Sequence, residues 1–440
     1  MYSKLSAVLP RLTNMSLTAI EEVLSTGEGI RAERFSRLRG GVKRSLLLRS
    51  GKFLHSFESN AKLQLPLSSD DLRSSFDDLW LRRSQAIDTT APPITIADIF
   101  SGCGGLSVGV GEAARATGHR AVHVLAVDTN EAAIGVFQDN FPEAEAHLGP
   151  IEAMLDGGLG DRPTASERRL SQRLAGLDLA VGGPPCQGHS DLNNHTRRRD
   201  PRNALYLRMV RFVEVVRPRL VLIENVPGVA HDKSGVVARA LTALISAGYR
   251  VDSGVLNAKD FGAAQSRRRH VLLASRDAEV LPSIAGLHSL FGAEARAVVD
   301  AIGDLGIEEN LGAFGTTARH SSTNERRINY LFDNDLWELP DSERPDCHRL
   351  KPHSYVAVYG RMYPDRPSPT ITSGFGSTGQ GRFVHPHERR TLTPHEAARL
   401  QGFPDWFSFR AAPGRRALQE MIGNAVPSKL SYVAIASLLR

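Results

Sequence analysis

The chain has 440 residues, enough to bury a sizeable core and to form one large domain with smaller appendages. Its hydrophobic fraction of 41% and charged fraction of 23% are ordinary for a globular protein. No apolar run approaches the roughly 20 residues that a membrane span needs, and the N-terminus is too mixed in polarity for a secretory signal. We therefore expect a cytoplasmic protein without a membrane partner.

Charge and cysteine content narrow the class of function. The net charge of +6 fits a polyanionic partner such as nucleic acid, but many basic proteins bind none. Cys103, Cys186 and Cys347 lie far apart and lack the CxxC spacing of zinc sites, and their pattern does not suggest a disulfide framework. One of the three could therefore be a catalytic thiol, and we expect no metal.

The first 90 residues differ in composition from the rest. Between Arg31 and His55 there are eight Lys or Arg residues and one Glu. This stretch is either a solvated helical face or flexible arm, or an auxiliary contact to DNA, and both interpretations stay open. Ala91-Pro92-Pro93 then predicts a linker, because proline disfavours the continuation of helices and strands.

From residue 94 onward, short apolar runs alternate with helical stretches. Strands are predicted at 94–100, 123–128, 177–181, 220–223 and 270–274. Helices are predicted at 109–117, 131–140 and 205–216. Continuous apolar strands that alternate with helices are typical of a parallel sheet covered on both faces, so we predict an α/β fold. The alternation fades between about 276 and 354, which indicates a separate small module, and it returns near 356.

A glycine-rich turn follows the first of these strands, from Asp98 to Leu106 (DIFSGCGGL). Glycines at the carboxyl end of a strand let backbone amides approach a ligand where such sheets bind cofactors. Asp128 ends the next predicted strand, where a carboxylate can accept hydrogen bonds from both hydroxyls of a ribose. Together these features indicate an adenosine-containing cofactor, without separating a nicotinamide from S-adenosylmethionine.

A second motif places a cysteine just past another strand. Leu179 to Gly188 reads LAVGGPPCQG, so that Cys186 lies on a turn shaped by glycine and proline. A catalytic cysteine needs an electropositive setting, because a free thiol is only a few per cent thiolate at neutral pH. Arg197, Arg198, Arg199 and Arg202 follow closely and could help to provide it. A role as a buried small hydrophobe is the alternative, and the flanking residues argue against it.

Pro184-Pro185-Cys186-Gln187 resembles the catalytic signature of the DNA cytosine-5 methyltransferase family. Further family motifs follow in the family's order, and the resemblance covers residues 94 to 440. They are Glu224-Asn225-Val226, Gln265-Ser266-Arg267-Arg268-Arg269, Arg366-Pro367-Ser368-Pro369-Thr370-Ile371, RTLTPHEAARLQGF from Arg390 to Phe403, and Gly423-Asn424-Ala425-Val426-Pro427. Six motifs in this order are very improbable by chance.

The resemblance implies a division of labour in catalysis. A Cys186 thiolate would attack carbon 6 of the cytosine, which makes carbon 5 nucleophilic. Glu224, at a strand end, would donate a proton or a hydrogen bond near N3 and would then need a raised pKa. Arg267 and Arg269 lie two apart, so they share a strand face and could bind O2 of the base and nearby phosphates.

The resemblance also implies contacts to the methyl donor, S-adenosylmethionine, and to its product, S-adenosyl-L-homocysteine. Phe100 would stack on the adenine, Asp128 would bind the ribose, and Asn424 and Val426 would close the site if the last helix folds back against the first strand. The implied cofactor residues are Phe100, Ser101, Gly102, Cys103, Gly104, Gly105, Leu106, Asp128, Thr129, Ile151, Pro184, Leu205, Asn424 and Val426.

Contacts to double-stranded DNA are implied mainly for the segment after the cysteine. Carbon 6 of a stacked base is inaccessible, so the target cytosine must leave the helix. The polar segment 188–203 resembles the family's active-site loop, and arginines there would add salt-dependent affinity without reading the sequence. The implied DNA-binding residues are Gln187, His189, Ser190, Arg197, Arg198, Arg199 and Gln265.

Three departures from the family pattern stand out. Gly149-Pro150-Ile151 occupies the place of a usual Gly-Asp-Ile, so the contact of that aspartate with the adenine amino group must be replaced by another acid or by backbone. His189 stands where phenylalanine is common, as a tolerated variation or as a polar contact. The charged insert 155–174 is expected to be a surface excursion.

The resemblance implies a Rossmann-like methyltransferase sheet plus a small target-recognition domain. We predict a basic extension at 1–90, a catalytic and cofactor-binding domain at 91–276, a target-recognition domain at 277–365 and a C-terminal return at 366–440. Further expectations are a bacterial, nucleoid-associated restriction–modification enzyme, a cognate endonuclease encoded nearby, and a monomer on DNA. A tRNA cytosine-5 methyltransferase and an inert DNA-binding regulator of the same fold are the alternatives.

Overall fold

The structure is a computed structural model that describes residues 32–38, 41–47, 53–60, 72–82, 88–185, 204–232, 234–277, 284–349 and 357–439. The strands of the described residues are β1 (Ala32–Leu38), β2 (Gly41–Leu47), β3 (Phe53–Asn60), β4 (Pro93–Ile99), β5 (Arg120–Asp128), β6 (Glu145–Leu148), β7 (Leu179–Gly182), β8 (Leu220–Asn225), β9 (Arg250–Asn257) and β10 (Arg268–Ser275).

The helices of the same residues are α1 (Leu72–Arg82), α2 (Gly105–Ala116), α3 (Glu131–Asn140), α4 (Ala165–Arg173), α5 (Ala204–Val216), α6 (Val236–Ser246), α7 (Leu287–Phe291), α8 (Val298–Ile302), α9 (Ser322–Asp333), α10 (Asp346–Arg349), α11 (Pro394–Leu400), α12 (Arg415–Asn424) and α13 (Ser428–Ala436). Within the described ranges none of these helices has the length and apolar character needed to cross a membrane.

Strands β4 to β10 form one seven-stranded sheet in the order β6-β5-β4-β7-β8-β10-β9. Neighbours from β6 to β8 pair in parallel, whereas β10 runs antiparallel to both β8 and β9. The predicted mostly parallel α/β sheet is therefore confirmed. Because β10 is reversed, its first residues lie at the edge where the parallel strands end, and this edge carries the site.

Both faces of the sheet are covered, as the apolar strands predict. In β8, Leu220 and Leu222 pack into the cluster that includes α2 and α13. Val221 and Ile223 point the other way, into the cluster that includes α4, α5 and α6. This alternation follows from the two-residue period of side chains along a strand, and it explains why β8 is apolar throughout.

The predicted elements of the catalytic region all form, with shifted ends. Helix α2 begins at Gly105 instead of residue 109, so the last glycine of the turn is already helical. Strands β6 and β9 were not predicted, because both lie at sheet edges. The residues of β9 are mostly half-buried or exposed, so this strand carries no continuous apolar run.

The basic N-terminal stretch is a three-stranded antiparallel sheet in the described residues, neither a solvated helical face nor a free arm. Arg44 on β2 is buried and forms an ion pair of 2.7 Å with Glu112 on α2. Its guanidinium also lies 4.5 Å from the ring centre of Phe76 and 5.1 Å from that of Tyr432. The charge of Arg44 therefore holds the N-terminal residues to the catalytic body, and is not available for DNA.

The charged insert 155–174 is largely exposed, as expected of a surface excursion, but it is anchored in the interior through Glu167. Its helix α4 starts with a capping box between Thr164 and Glu167. Glu167 is fully buried and forms a two-pronged ion pair with Arg211 on α5, at 2.9 and 2.6 Å. Gly157 is needed beside this pair, because a Cβ there would lie 2.7 Å from the Arg211 side chain.

The region predicted as the target-recognition module has its own small core in the described residues. Ile328 and Leu331 of α9 pack with Leu339 and Val358 of the same region. Val384, which lies past the predicted end of the region, completes this core. Beside this core the Arg361 guanidinium lies about equally close to two aromatic rings, 4.1 Å from the ring centre of Phe332 and 4.2 Å from that of Trp337. The predicted boundaries of this domain stay a prediction.

Replacing Arg211 with methionine should destabilise the protein by about 3–5 kcal/mol, because it leaves the buried Glu167 carboxylate without its partner. Urea unfolding followed by circular dichroism measures the change. Arg173→Met is the matched control, since Arg173 pairs with Glu145 on the exposed surface and should cost less than about 1 kcal/mol. Equal effects of the two variants would contradict the assigned role of the buried pair.

Candidate active site

The site lies where four parallel strands end and the reversed strand β10 begins. Phe100, Asp128 and Gly183 follow or end β4, β5 and β7, and Glu224 lies one residue before the end of β8. The residues of this edge thus come from four separate segments that are spread over more than 100 residues of the chain. The sequence predicts each of them at a strand end, and the sheet order makes them neighbours.

The glycine turn after β4 is held in a shape that suits a ligand. Phe100 has a φ of 62°, a left-handed conformation that is costly outside glycine and that turns the chain sharply after the strand. The Gly102 amide donates to an oxygen of Asp128 at 2.8 Å. A Cβ on Gly102 would point into open space. The turn therefore leaves room for an adenosine-containing molecule beside Phe100 and Asp128.

Asp128 connects this turn to the next two loops. Its other carboxylate oxygen accepts a hydrogen bond from the Asn130 amide at 2.9 Å, and its carbonyl accepts one from Gly149 at 2.9 Å. Ile151 is buried, whereas Pro150 is exposed. The carboxylate stays half-exposed and keeps lone pairs for further donors such as ribose hydroxyls.

Cys103 contributes to this site only through its backbone. Its side chain is buried in the core formed with the C-terminal segment, and the thiol lies 3.8 Å from the Met421 carbonyl. Burial raises the pKa of the Cys103 thiol to about 12, which makes it a poor nucleophile. The prediction of Cys103 as a cofactor residue is therefore limited to its peptide group.

The C-terminal segment folds back onto the catalytic body, but its close contact is with helix α2 and not with the first strand as predicted. A Cβ at Gly105 would lie 2.9 Å from the Val426 carbonyl, and one at Gly109 would lie 2.0 Å from the Ser428 carbonyl. These two glycines allow the backbones to approach closely. Val426 is buried at this contact and Asn424 is exposed, so only the side chain of Asn424 is free to meet solvent or a ligand.

Glu224 is a buried carboxyl group beside two arginines. Its oxygen Oε1 lies 2.7 Å from Nε of Arg269, and Oε2 would lie 3.3 Å from a Cβ at Gly183. Burial raises the pKa of Glu224, and the charges of Arg269 and Arg267 act against this rise. The raised pKa favours a protonated carboxyl, as the proposed proton donor requires.

Arg267 and Arg269 differ in their surroundings. Arg267 is buried and its guanidinium donates to the carbonyls of Ile371 and Gly423, the latter at 2.9 Å. Arg269 is half-buried and faces Glu224. Arg267 thus fastens the C-terminal return to the sheet edge, and Arg269 is the arginine that a base near Glu224 would meet.

Gln265 is fully buried, which contradicts its predicted contact with DNA. Its amide donates to Gln401 at 2.9 Å and to the Leu400 carbonyl at 3.2 Å, and its oxygen accepts from Ile371 at 2.8 Å. With its polar atoms bound to the protein and no exposed surface, Gln265 has no reach toward DNA. It joins three segments of the site instead.

The turn before the predicted nucleophile is pinned to the end of β8. Asn225 donates from its side chain to the Pro184 carbonyl at 3.1 Å.

Leu205, a predicted cofactor residue at the start of α5, is half-buried. Several predicted residues lie outside the described residues, namely Cys186, Gln187, His189, Ser190, Arg197, Arg198 and Arg199.

Asp98 is a residue of this site that the sequence analysis did not single out. It is fully buried behind the glycine turn, and Ser107 on α2 donates to it at 2.6 Å. Burial raises its pKa to about 7. The sequence could have indicated this residue, because Asp98 lies inside an otherwise apolar strand and a buried carboxyl group needs a hydrogen-bond partner.

A group of one histidine and two glutamates lies outside this site. Ligand atoms of His385, Glu388 and Glu396 lie within 4.8 Å of one another. Arg390 forms close ion pairs with both carboxylates, at 2.9 and 2.6 Å. The arginine is an ion-pair partner of both carboxylates, so we interpret the group as a structural network, and the expectation of a metal-free enzyme stays a prediction.

Similarity to known proteins identifies the family of this chain. The family model described as C-5 cytosine-specific DNA methylase matches residues 94–440. The Type II methyltransferase M1.BsuMI of Bacillus subtilis (strain 168) is 47% identical over 433 residues, which cover 98% of this chain and 100% of that protein. The Type II methyltransferase M1.HphI of Haemophilus parahaemolyticus is 30% identical over 355 residues, covering 79% and 87% respectively.

A solved structure confirms the fold. The S. pombe Dnmt2 methyltransferase has a TM-score of 0.53 at 21% identity, over 79% of this chain and 98% of that one. The family model covers well over half of this chain. The chain therefore belongs to the C-5 cytosine-specific DNA methylase family and is a DNA (cytosine-5)-methyltransferase.

Proposed function

We propose that this enzyme methylates carbon 5 of a flipped-out cytosine in a specific duplex sequence through a covalent adduct with Cys186. The observation that carries the proposal is the buried Glu224 carboxyl beside Arg269, next to the turn that leads to the cysteine. Three peptide units separate Gly183 from Cys186, so their α-carbons are at most about 11 Å apart. This distance is compatible with one base bridging the thiolate and the glutamate.

The covalent step makes an unreactive carbon nucleophilic. The Cys186 sulfur forms a bond to carbon 6, and the electron pair of the C5–C6 double bond becomes available at carbon 5. Glu224 gives a proton or hydrogen bond to N3, which limits the negative charge on the ring. After methylation, a water molecule takes the proton from carbon 5, and the electron pair of that bond restores the double bond and expels the Cys186 thiolate. N3 returns its proton to Glu224.

The family uses S-adenosylmethionine, whose sulfonium supplies the methyl group and leaves S-adenosyl-L-homocysteine. The residues present fit it, because the turn 100–105 leaves open space at Gly102 and ends at the start of α2. We propose stacking on Phe100, ribose contacts at Asp128 and packing by Pro184 and Leu205. Val426 is proposed to bound the cofactor site on the side of the C-terminal segment.

The base-binding side is assigned to arginines and to the segment after the cysteine. Arg269 is placed to meet O2 of the base, with Arg267 holding the local backbone. The polar segment 188–203 is proposed to contact the DNA backbone and to close over the flipped base. The module at 277–365 would read the sequence in the major groove.

A role in restriction–modification follows from the relatives, since both are named Type II methyltransferases. We propose that the protein acts as a monomer on DNA in the bacterial cytoplasm, with a cognate endonuclease encoded nearby. Bisulfite sequencing of DNA from cells that express the gene would read the target sequence.

A duplex that contains 5-fluorocytosine at the target should trap a covalent complex with the wild-type protein. The fluorine cannot leave as a proton does, so the adduct persists through denaturing electrophoresis. Cys186→Ser should form none, and Cys347→Ser should form it normally. A trapped adduct with Cys186→Ser, or methyl transfer to tRNA in place of DNA, would overturn the proposal.

Glu224→Gln should lower kcat about 100-fold or more and change DNA affinity little, because the glutamine cannot donate the proton. The raised pKa predicts that kcat of the wild type falls as pH rises through it, since the protonated carboxyl is the active form. Single-turnover rates against pH measure both effects. Persistence of the same alkaline limb in Glu224→Gln would exclude this glutamate as its source.

Asp128→Ala should weaken binding of S-adenosyl-L-homocysteine about 10- to 100-fold, because both the ribose contact and the hydrogen bond to Gly102 are lost. Isothermal titration calorimetry measures the dissociation constant. Asp139→Ala, an exposed acid on α3, should leave it unchanged. Unaltered binding by Asp128→Ala would remove Asp128 from the cofactor site.

A further inference from the structure

Tyr206 carries a buried hydroxyl that the described part of the fold leaves without a hydrogen bond. The residue lies in the first turn of α5 and is 1% exposed. Its hydroxyl has no hydrogen-bond partner among the described residues. Buried polar groups in proteins are nearly always paired, and a phenylalanine would fill the same space without the unpaired group. The hydroxyl therefore calls for a functional explanation.

The position of the helix places Tyr206 toward the edge of the sheet that carries Glu224. Met209, one turn further along the same face of α5, lies against Gly182, since a Cβ there would be 2.9 Å from the methionine sulfur. Side chains of a helix lean toward its N-terminus, so Tyr206 leans from there toward the carboxyl edge of the sheet. Gly183 and Glu224 lie at that edge.

Electrostatics supports the same neighbourhood. Burial raises the pKa of the Tyr206 hydroxyl, and the charge of Glu224 adds to this rise. The other charged groups that act on Glu224 are Arg269 and Arg267, both from the start of β10. Arg269 approaches oxygen Oε1, and Oε2 faces the turn at Gly183.

We propose that Tyr206 is a positioning residue whose hydroxyl, unpaired among the described residues, donates a hydrogen bond to the Glu224 carboxylate once that group has given its proton to N3 of the cytosine. The inference rests on the proposed role of Glu224. Only the glutamate's proton moves to the base, and the tyrosine keeps its own. An interaction that is absent in the ground state and formed in the transition state lowers the barrier without tightening substrate binding.

Tyr206→Phe tests this inference. We expect kcat to fall about 10- to 100-fold, as for a hydrogen bond to a charged group, with KM for DNA and for S-adenosylmethionine within about twofold of wild type. The thermal midpoint should stay equal or rise, because the variant removes an unpaired buried hydroxyl. The alkaline limb of kcat should move to higher pH, since the lost donor stabilised the carboxylate. A wild-type kcat would overturn the inference.

Tyr249→Phe is the matched control. Its hydroxyl is also buried but donates to the Pro218 carbonyl at 2.6 Å, away from the candidate site. This variant should lose stability and keep kcat and its pH dependence. Loss of kcat without loss of stability in Tyr206→Phe, and loss of stability without loss of kcat in Tyr249→Phe, would distinguish a catalytic role of a hydroxyl from a structural role.

A double-mutant cycle with Glu224→Gln separates failure of this inference from failure of the proposed function. If Glu224→Gln leaves kcat unchanged, the role of the glutamate is wrong. If Glu224→Gln slows the reaction and Tyr206→Phe slows it no further in that background, the two residues act together as proposed. An undiminished effect of Tyr206→Phe in the Glu224→Gln background would overturn the inference for Tyr206.

Discussion

The reversed strand β10 between β8 and β9 is the feature on which the active site depends. In a wholly parallel sheet, the first residues of a strand lie at the edge opposite the catalytic one. Reversal brings Arg267 and Arg269 to the end of β8, with Glu224 paired in register to Val271 and its carboxyl next to Arg269. A buried acid is thereby held beside a cation, which limits how far burial alone can raise its pKa.

The C-terminal return completes this edge with contacts that span much of the chain. Gln265 and Arg267 bind the backbone at Ile371, and Gly109 admits α13 against α2. Residues that the family motif suggests as DNA or base contacts thus include some whose side chains act within the protein. The family motif points to Gln265 and Arg267, and their burial indicates that they act inside the protein.

The net positive charge of the chain overstates the charge that is available to bind DNA, because some of its arginines are buried. Arg44 and Arg211 contribute to the net positive charge, yet each is nearly inaccessible and paired with a buried glutamate. Such pairs add little to affinity for DNA and tie distant segments together, because removing one partner leaves the other desolvated. The N-terminal sheet and the insert 155–174 are both fastened in this way.

The sequence by itself determined the α/β class, the strand ends that carry Phe100, Asp128 and Glu224, and the covalent chemistry expected of Cys186, because apolar periodicity and ordered motifs are local properties of the chain. It missed β9, the N-terminal sheet and the burial of Gln265, which depend on which segments become neighbours. The pairing of Glu224 with Arg269 and the packing of Val426 against Gly105 were decided only by the tertiary structure. The reason is physical: burial and ion pairing are set by residues far away in sequence, and no local pattern records them.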